Sequence, residues 1–126
     1  MLAAVLAAAP ATPAPAPTLE WDVVSRRPHD TGAFTQGLVF DGEGRLFESV
    51  LYGDADLREV WPRSGTVLRS ARLPSAWRGE GLALVDGELL QLTWKAGVAV
   101  RWDKDTFDPL TLHTYEGQGW GLCHDG

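Results

Sequence analysis

The chain has a single cysteine, Cys123, in 126 residues. No internal disulfide can form, and no paired cysteines offer a thiolate metal site or a redox couple. A lone thiol of this kind is expected to be buried as a small apolar group. Basic residues are also scarce, since eleven Lys and Arg against seventeen Asp and Glu leave a formal charge of −6. The cations are scattered, with no stripe to neutralise phosphates, which argues against a nucleic-acid partner. The acidic excess speaks only for solubility. No apolar run approaches the roughly 20 residues of a membrane-spanning helix. Ser49, Ser64, Ser70 and Ser75 sit in no nucleophile-elbow context, so serine-hydrolase chemistry lacks support.

What remains is apolar and turn-rich: 44% of residues are hydrophobic, with 14 glycines, 8 prolines and 6 tryptophans. Residues 1–18 stand apart in composition. MLAAVLAAAP is a short apolar run, and ATPAPAPT after it is a Pro/Ala tract expected to stay extended. The run has the apolar centre of a secretory signal peptide but no basic residue before it. Export to the periplasm or beyond is the expectation, with an unstructured cytoplasmic tail as the alternative. Residues 19–126 are expected to be the N-terminal part of one domain.

Within that domain a pattern returns about every forty residues. The chain reads GLVFDGEGRLFES from Gly37, GLALVDGELLQLT from Gly81 and GLCHDG from Gly121, so the Gly-Leu pairs are 44 and 40 residues apart. Each full copy predicts four strands. An apolar strand (Leu38–Phe40, Leu82–Val85) meets an Asp-Gly turn (Asp41-Gly42, Asp86-Gly87). Further strands are expected at 45–51, 56–61 and 67–73 in the first copy, and at 88–93, 98–102 and 110–115 in the second. A four-stranded antiparallel meander at this period is the mark of a β-propeller blade. A small β-sandwich with coincidental Gly-Leu pairs is the competing architecture. The blades fall near 34–74 and 75–117, with a third beginning at 118. That makes about two and a half blades, whereas rings close with about four to eight. Leu19 to Arg26 (LEWDVVSR) is a further strand candidate, and Trp61 and Trp102 are expected to pack between blades.

Innermost strands surround the propeller axis, so equivalent positions converge there. The residue before each repeat glycine is Gln36, Glu80 and Trp120. An amide, a carboxylate and an indole at one mouth would suit a small polar group. Glu80 is expected among Trp77, Trp94 and Trp120, with desolvation raising its pKa. An exposed turn position for Glu80 is the alternative.

The segments HDTGAFTQGL (29–38), GEGLAL (79–84), QLTWK (91–95) and GQGWGL (117–122) together resemble, in order and spacing, the motifs of plant- and bacterial-type glutamine cyclotransferases. The resemblance runs from about Leu19 to the last residue. It implies a five-bladed propeller that converts N-terminal glutamine of peptides to pyroglutamate, releasing ammonia, with neither a catalytic metal nor another cofactor. It implies Glu80 as the general acid/base, and Phe34, Gln36, Trp94 and Trp120 as substrate-binding residues. Three features depart from the family pattern. Arg78 stands where a Phe usually precedes GEG, and a cation there would lower the Glu80 pKa. Gln118 replaces the Glu of GEGWG. The pocket residues that the family draws from later blades have no counterpart within the 126 residues. The alternative function is a non-catalytic propeller piece or protein-binding module, self-associating through open blade edges.

The remaining polar clusters have simpler readings. His29, His113 and His124 lack ligand spacing and are expected in turn and hydrogen-bonding roles. Asp103, Asp105 and Asp108 mimic part of a calcium loop but lack its glycine and terminal glutamate, so a polar turn is expected.

Overall fold

The computed structural model describes residues 15–125, so the apolar run and the signal-peptide reading lie outside the described residues. Eight strands follow in order: β1 Thr35–Phe40, β2 Leu46–Val50, β3 Leu57–Val60, β4 Val67–Ala71, β5 Gly79–Val85, β6 Glu88–Thr93, β7 Val98–Asp103 and β8 Pro109–Thr114. They make two four-stranded sheets, β1-β2-β3-β4 and β5-β6-β7-β8. Within each sheet every strand pairs antiparallel with its neighbour in sequence. These are two successive blades of an all-β propeller. Among the described residues, no helix is long and apolar enough to cross a membrane.

Local chemistry explains the hairpins. Asp86 and Gly87 both hold positive φ (52° and 82°), as a two-residue turn between twisted strands requires. The first hairpin differs from expectation. Its loop is longer, because the Asp41 carboxylate accepts from the backbone N–H of Glu43 and of Arg45 (3.0 and 2.9 Å). The left-handed glycine is therefore Gly44 (φ 83°), not Gly42.

The core lies between the blades. Phe47, Leu57 and Leu73 of the first pack against Leu82, Leu89, Val100, Trp102 and Phe107 of the second. Fully burying each such side chain stabilises by about 2 kcal/mol. At one end a polar cluster joins the same two blades. Arg45 and Arg69 both donate to the Glu59 carboxylate (Nε contacts of 2.9 and 2.6 Å) and to the carbonyl of Lys104. The Arg45 guanidinium holds the Glu59 carboxyl below the usual range; burial opposes this and Arg69 reinforces it. The 103–108 segment is a polar turn as expected, with Asp103 Oδ1 accepting from the N–H of Asp105 and of Thr106 (2.7 and 2.9 Å).

Several expectations fail for identifiable reasons. Leu19 to Arg26 is no strand; Leu19, Trp21 and Val24 are exposed, and the stretch joins neither sheet's ladder. Trp61 and Trp102 are not equivalent. Leu46 pairs with Val60 and Leu89 with Trp102, so Trp102 matches Val60. That one-residue slip puts them on opposite faces: Trp102 is buried, whereas Trp61 is 49% exposed. Cys123 is exposed, because it follows the last sheet on a stretch that no further strand covers among the described residues.

The Gly-Leu repeat has a packing cause. A Cβ on Gly37 would lie 2.6 Å from the Leu82 nitrogen, and one on Gly81 would lie 2.5 Å from the Leu122 nitrogen. Each repeat glycine thus lets the next repeat's backbone press against it at the same place. Gly81→Ala is expected to destabilise the chain by about 1–3 kcal/mol, since backbone atoms cannot step aside as side chains do. Gly42→Ala, with open space around it, should leave stability within about 0.5 kcal/mol. Urea midpoints of the two variants check this, and equal midpoints would contradict it.

Candidate functional site

The three repeat positions meet through the backbone of their strands. Both Gln36 and Glu80 sit at register irregularities. In β1 the ladder steps from Thr35↔Val50 to Gly37↔Ser49, leaving Gln36 as the extra residue. In β5 it steps from Gly79↔Thr93 to Leu82↔Gln91, leaving Glu80 and Gly81 against one residue. Bulges re-aim side chains out of the regular alternation. Here they lie on the two innermost strands, at corresponding places. The segment around Trp120 runs alongside β5, with the Gly81 N–H donating to the Trp120 carbonyl at 2.7 Å.

Glu80 is 3% exposed. Burial pushes its carboxyl above the usual carboxylate range, and the nearby Gln36 side-chain amide opposes that in part. Solvent-exposed turn placement is therefore excluded. Arg78 does not counter the burial as expected, because its guanidinium turns to the carbonyls of Ser75 and Trp77 (2.8 and 2.7 Å). Trp77 likewise packs against the inter-blade core.

Trp94 and Trp120 form an edge-to-face pair with centroids 6.1 Å apart. Trp94 is fixed further by its indole N–H donating to Gln118 Oε1 at 3.0 Å, and its carbonyl accepts from the Gly119 N–H at 2.9 Å. Gln118, a departure from the family pattern, thus holds an indole in place. Lys95 lies over the Trp94 ring, 3.9 Å from its centroid, a cation–π contact that spacing alone did not signal. Trp120 is 57% exposed. It can offer a wall to an incoming ligand. Phe34 packs edge-on against Tyr52 (5.8 Å) and is half exposed. Hence Gln36 meets Glu80 and Trp94 meets Trp120, while Phe34 is anchored on Tyr52.

Other groups stand apart from this site. His29 takes a hydrogen-bonding role, with Nε2 2.9 Å from Glu48 Oε1. Among the described residues, no three His, Cys, Asp or Glu side chains converge as metal ligands. A groove of about 660 Å³ lined by Phe40, Trp61 and Leu68 lies at the other end of β1 from Gln36.

A family model described as glutamine cyclotransferase matches residues 1–126. The glutaminyl-peptide cyclotransferase of Arabidopsis thaliana is 38% identical, across 85% of this chain and 34% of its own length. The crystal structure of Myxococcus xanthus glutaminyl cyclase superposes with a TM-score of 0.69 at 39% identity, covering 79% of this chain and 42% of that one. The chain therefore spans between a third and a half of the length of these relatives.

The buried carboxyl has a consequence for stability. Because the folded pKa of Glu80 is raised, the folded state holds that proton more tightly than the unfolded state. Its ionisation therefore costs stability progressively as pH rises from the ordinary carboxylate range through the folded pKa. Glu80→Gln should raise Tm at neutral pH, and the gain should shrink to nothing on acidification below that range. Thermal unfolding across pH checks this, and a Tm loss at pH 7 would contradict it.

Proposed function

The chain belongs to the glutamine cyclotransferase family, and on that premise we propose that its axis site cyclises the N-terminal glutamine of peptides and proteins to pyroglutamate. The observation that carries the reading is a buried carboxyl of raised pKa, Glu80, on the innermost strand beside Gln36. The α-amine nitrogen attacks the glutamine's own side-chain carbonyl carbon. The new C–N bond closes a five-membered lactam, the bond to the amide nitrogen breaks, and ammonia leaves. One proton moves from the attacking nitrogen to the leaving one. Glu80 is the group to carry it, since a pKa nearer to neutrality suits a carboxyl to both accepting and releasing a proton. Gln36 engages Glu80 and so orients the carboxyl that moves the proton. Trp94 and Trp120 form walls against which the folded-back side chain packs, with water excluded. Phe34 lines the mouth beside Tyr52.

Two finer points belong to this reading. The apolar run at 1–10 directs export, placing the reaction in the periplasm or outside the cell. Exposed apolar side chains, among them Leu38, Phe40, Leu110 and Leu112, support self-association at open sheet edges. The same exposure favours the second reading, a non-catalytic blade pair that binds another protein.

Incubating the purified chain with a glutamine-initiated peptide should show loss of ammonia by mass spectrometry. Glu80→Gln should slow that loss by about 100-fold or more, the ordinary contribution of a positioned acid/base. An unchanged rate would remove Glu80 from the chemistry. An inactive chain of high mass by light scattering would favour the second reading.

A further inference from the structure

Beneath the Gln36 bulge lies a buried charged cluster that the proposed reaction does not use. Glu48 is wholly inaccessible at 0% exposure, yet it is a carboxylate in the middle of a four-stranded sheet. Four donors converge on it. Arg58 contributes Nε and Nη2 (3.0 and 2.5 Å), Thr35 its hydroxyl (2.5 Å) and His29 its Nε2 (2.9 Å). Arg58 Nη1 in turn reaches Asp30 Oδ2 at 2.9 Å. Asp30 then closes its own turn, with Oδ1 accepting from the Gly32 N–H at 2.9 Å and its carbonyl from the Ala33 N–H at 3.1 Å. A buried charge costs several kcal/mol unless each lone pair is engaged. Well-packed apolar residues in place of the whole Glu48–Arg58 pair would often fold as well or better, so stability alone does not account for a buried pair here.

Its place in the repeat gives the account. Leu38 pairs with Glu48 as Leu82 pairs with Gln91, so the two buried polar residues occupy the same register position. In the second blade, Gln91 lies beneath Gly79, the residue before Glu80: a Cβ on Gly79 would lie 2.5 Å from the Gln91 amide nitrogen. In the first blade, Glu48 holds Thr35, the residue before Gln36. Each site-bearing bulge thus has a buried polar side chain beneath its N-terminal shoulder, and in the first blade that side chain is bonded to it.

We propose that Glu48 is a positioning residue: by clamping Thr35 and the His29-Asp30 turn, it fixes the β1 bulge so that Gln36 engages Glu80. The assignment rests on the site described above, but its readout needs no turnover. Thr35→Val removes the hydroxyl while keeping the side-chain shape and leaving the Glu48–Arg58 pair intact.

The test is the titration of Glu80, followed by NMR of the full chain labelled at glutamate side-chain carboxyl carbons. Gln36 favours the ionised form of Glu80. Loosening the bulge should therefore raise the proton affinity of Glu80, by about threefold for one lost hydrogen bond. Gln36→Ala should do the same, and adding Thr35→Val to it should change nothing further. Thr35→Ser, which keeps the hydroxyl, should titrate as the parent does. Thr35→Ala serves as the second hydroxyl-less variant should Thr35→Val fail to fold.

An unmoved Glu80 midpoint in the hydroxyl-less variants would overturn the proposal. So would an additive shift in the double variant, or a Gln36→Ala variant that titrates normally. A chain that shows the predicted titrations but no cyclisation would overturn the proposed reaction and leave the clamp standing.

Discussion

The arrangement depends on the close approach of consecutive innermost strands, made at Gly37 and repeated at Gly81. At each place the backbone nitrogen of the next repeat's leucine sits too close to leave room for a Cβ (2.6 and 2.5 Å). No side chain can mediate such a contact, so the spacing between blades is set by backbone against backbone. That spacing decides which side chains share the axis. The residue before each glycine is carried to the inner edge, and Gln36 reaches Glu80 while the Trp120 carbonyl receives the Gly81 N–H. The repeat and the site are consequences of one packing constraint.

The inter-blade core keeps that approach in register. Phe47, Leu57 and Leu73 face Leu82, Leu89, Val100 and Trp102, and within this apolar layer Gln91 makes specific bonds. Its amide donates to Ser49 Oγ and the Asp56 carbonyl (2.7 and 2.8 Å), and its oxygen accepts from the Trp102 indole at 3.1 Å. A fully satisfied buried amide costs little and admits only one relative placement of the sheets. The Arg45–Glu59–Arg69 cluster pins the far end to the turn around Lys104. Apolar burial supplies cohesion, and the polar groups supply register. Glu80 departs from this economy, because its buried carboxyl has a neutral amide for a partner instead of a cation. That is why its pKa moves up where that of Glu59 moves down.

Much of this was legible in the chain. The Gly-Leu period located both blades, and Asp86-Gly87 marked its hairpin because a two-residue turn needs those φ values. Convergence of Gln36 with Glu80 followed from their equivalent places. What escaped was set by register or by distant partners. Trp61 and Trp102 look alike in the pattern, yet one residue of slip reverses the face. LEWDVVSR has the alternation of a strand, but a strand exists only against another. Arg78 was expected to act on Glu80 by proximity in sequence, whereas its nearest acceptors are backbone carbonyls. The Glu48 cluster was invisible for the same reason: Asp30, His29 and Arg58 meet only after the first sheet has folded.

The central claim is that Gln36, Glu80, Trp94 and Trp120 form one ligand-binding mouth. The most direct measurement is NMR of the labelled chain titrated with a glutamine-initiated peptide whose α-amine is methylated to a quaternary ammonium and so cannot cyclise. The account predicts shifts concentrated in the Gln36 side-chain amide, the Glu80 carboxyl and the indole N–H groups of Trp94 and Trp120. Shifts gathered instead around Phe40, Trp61 and Leu68 would contradict it.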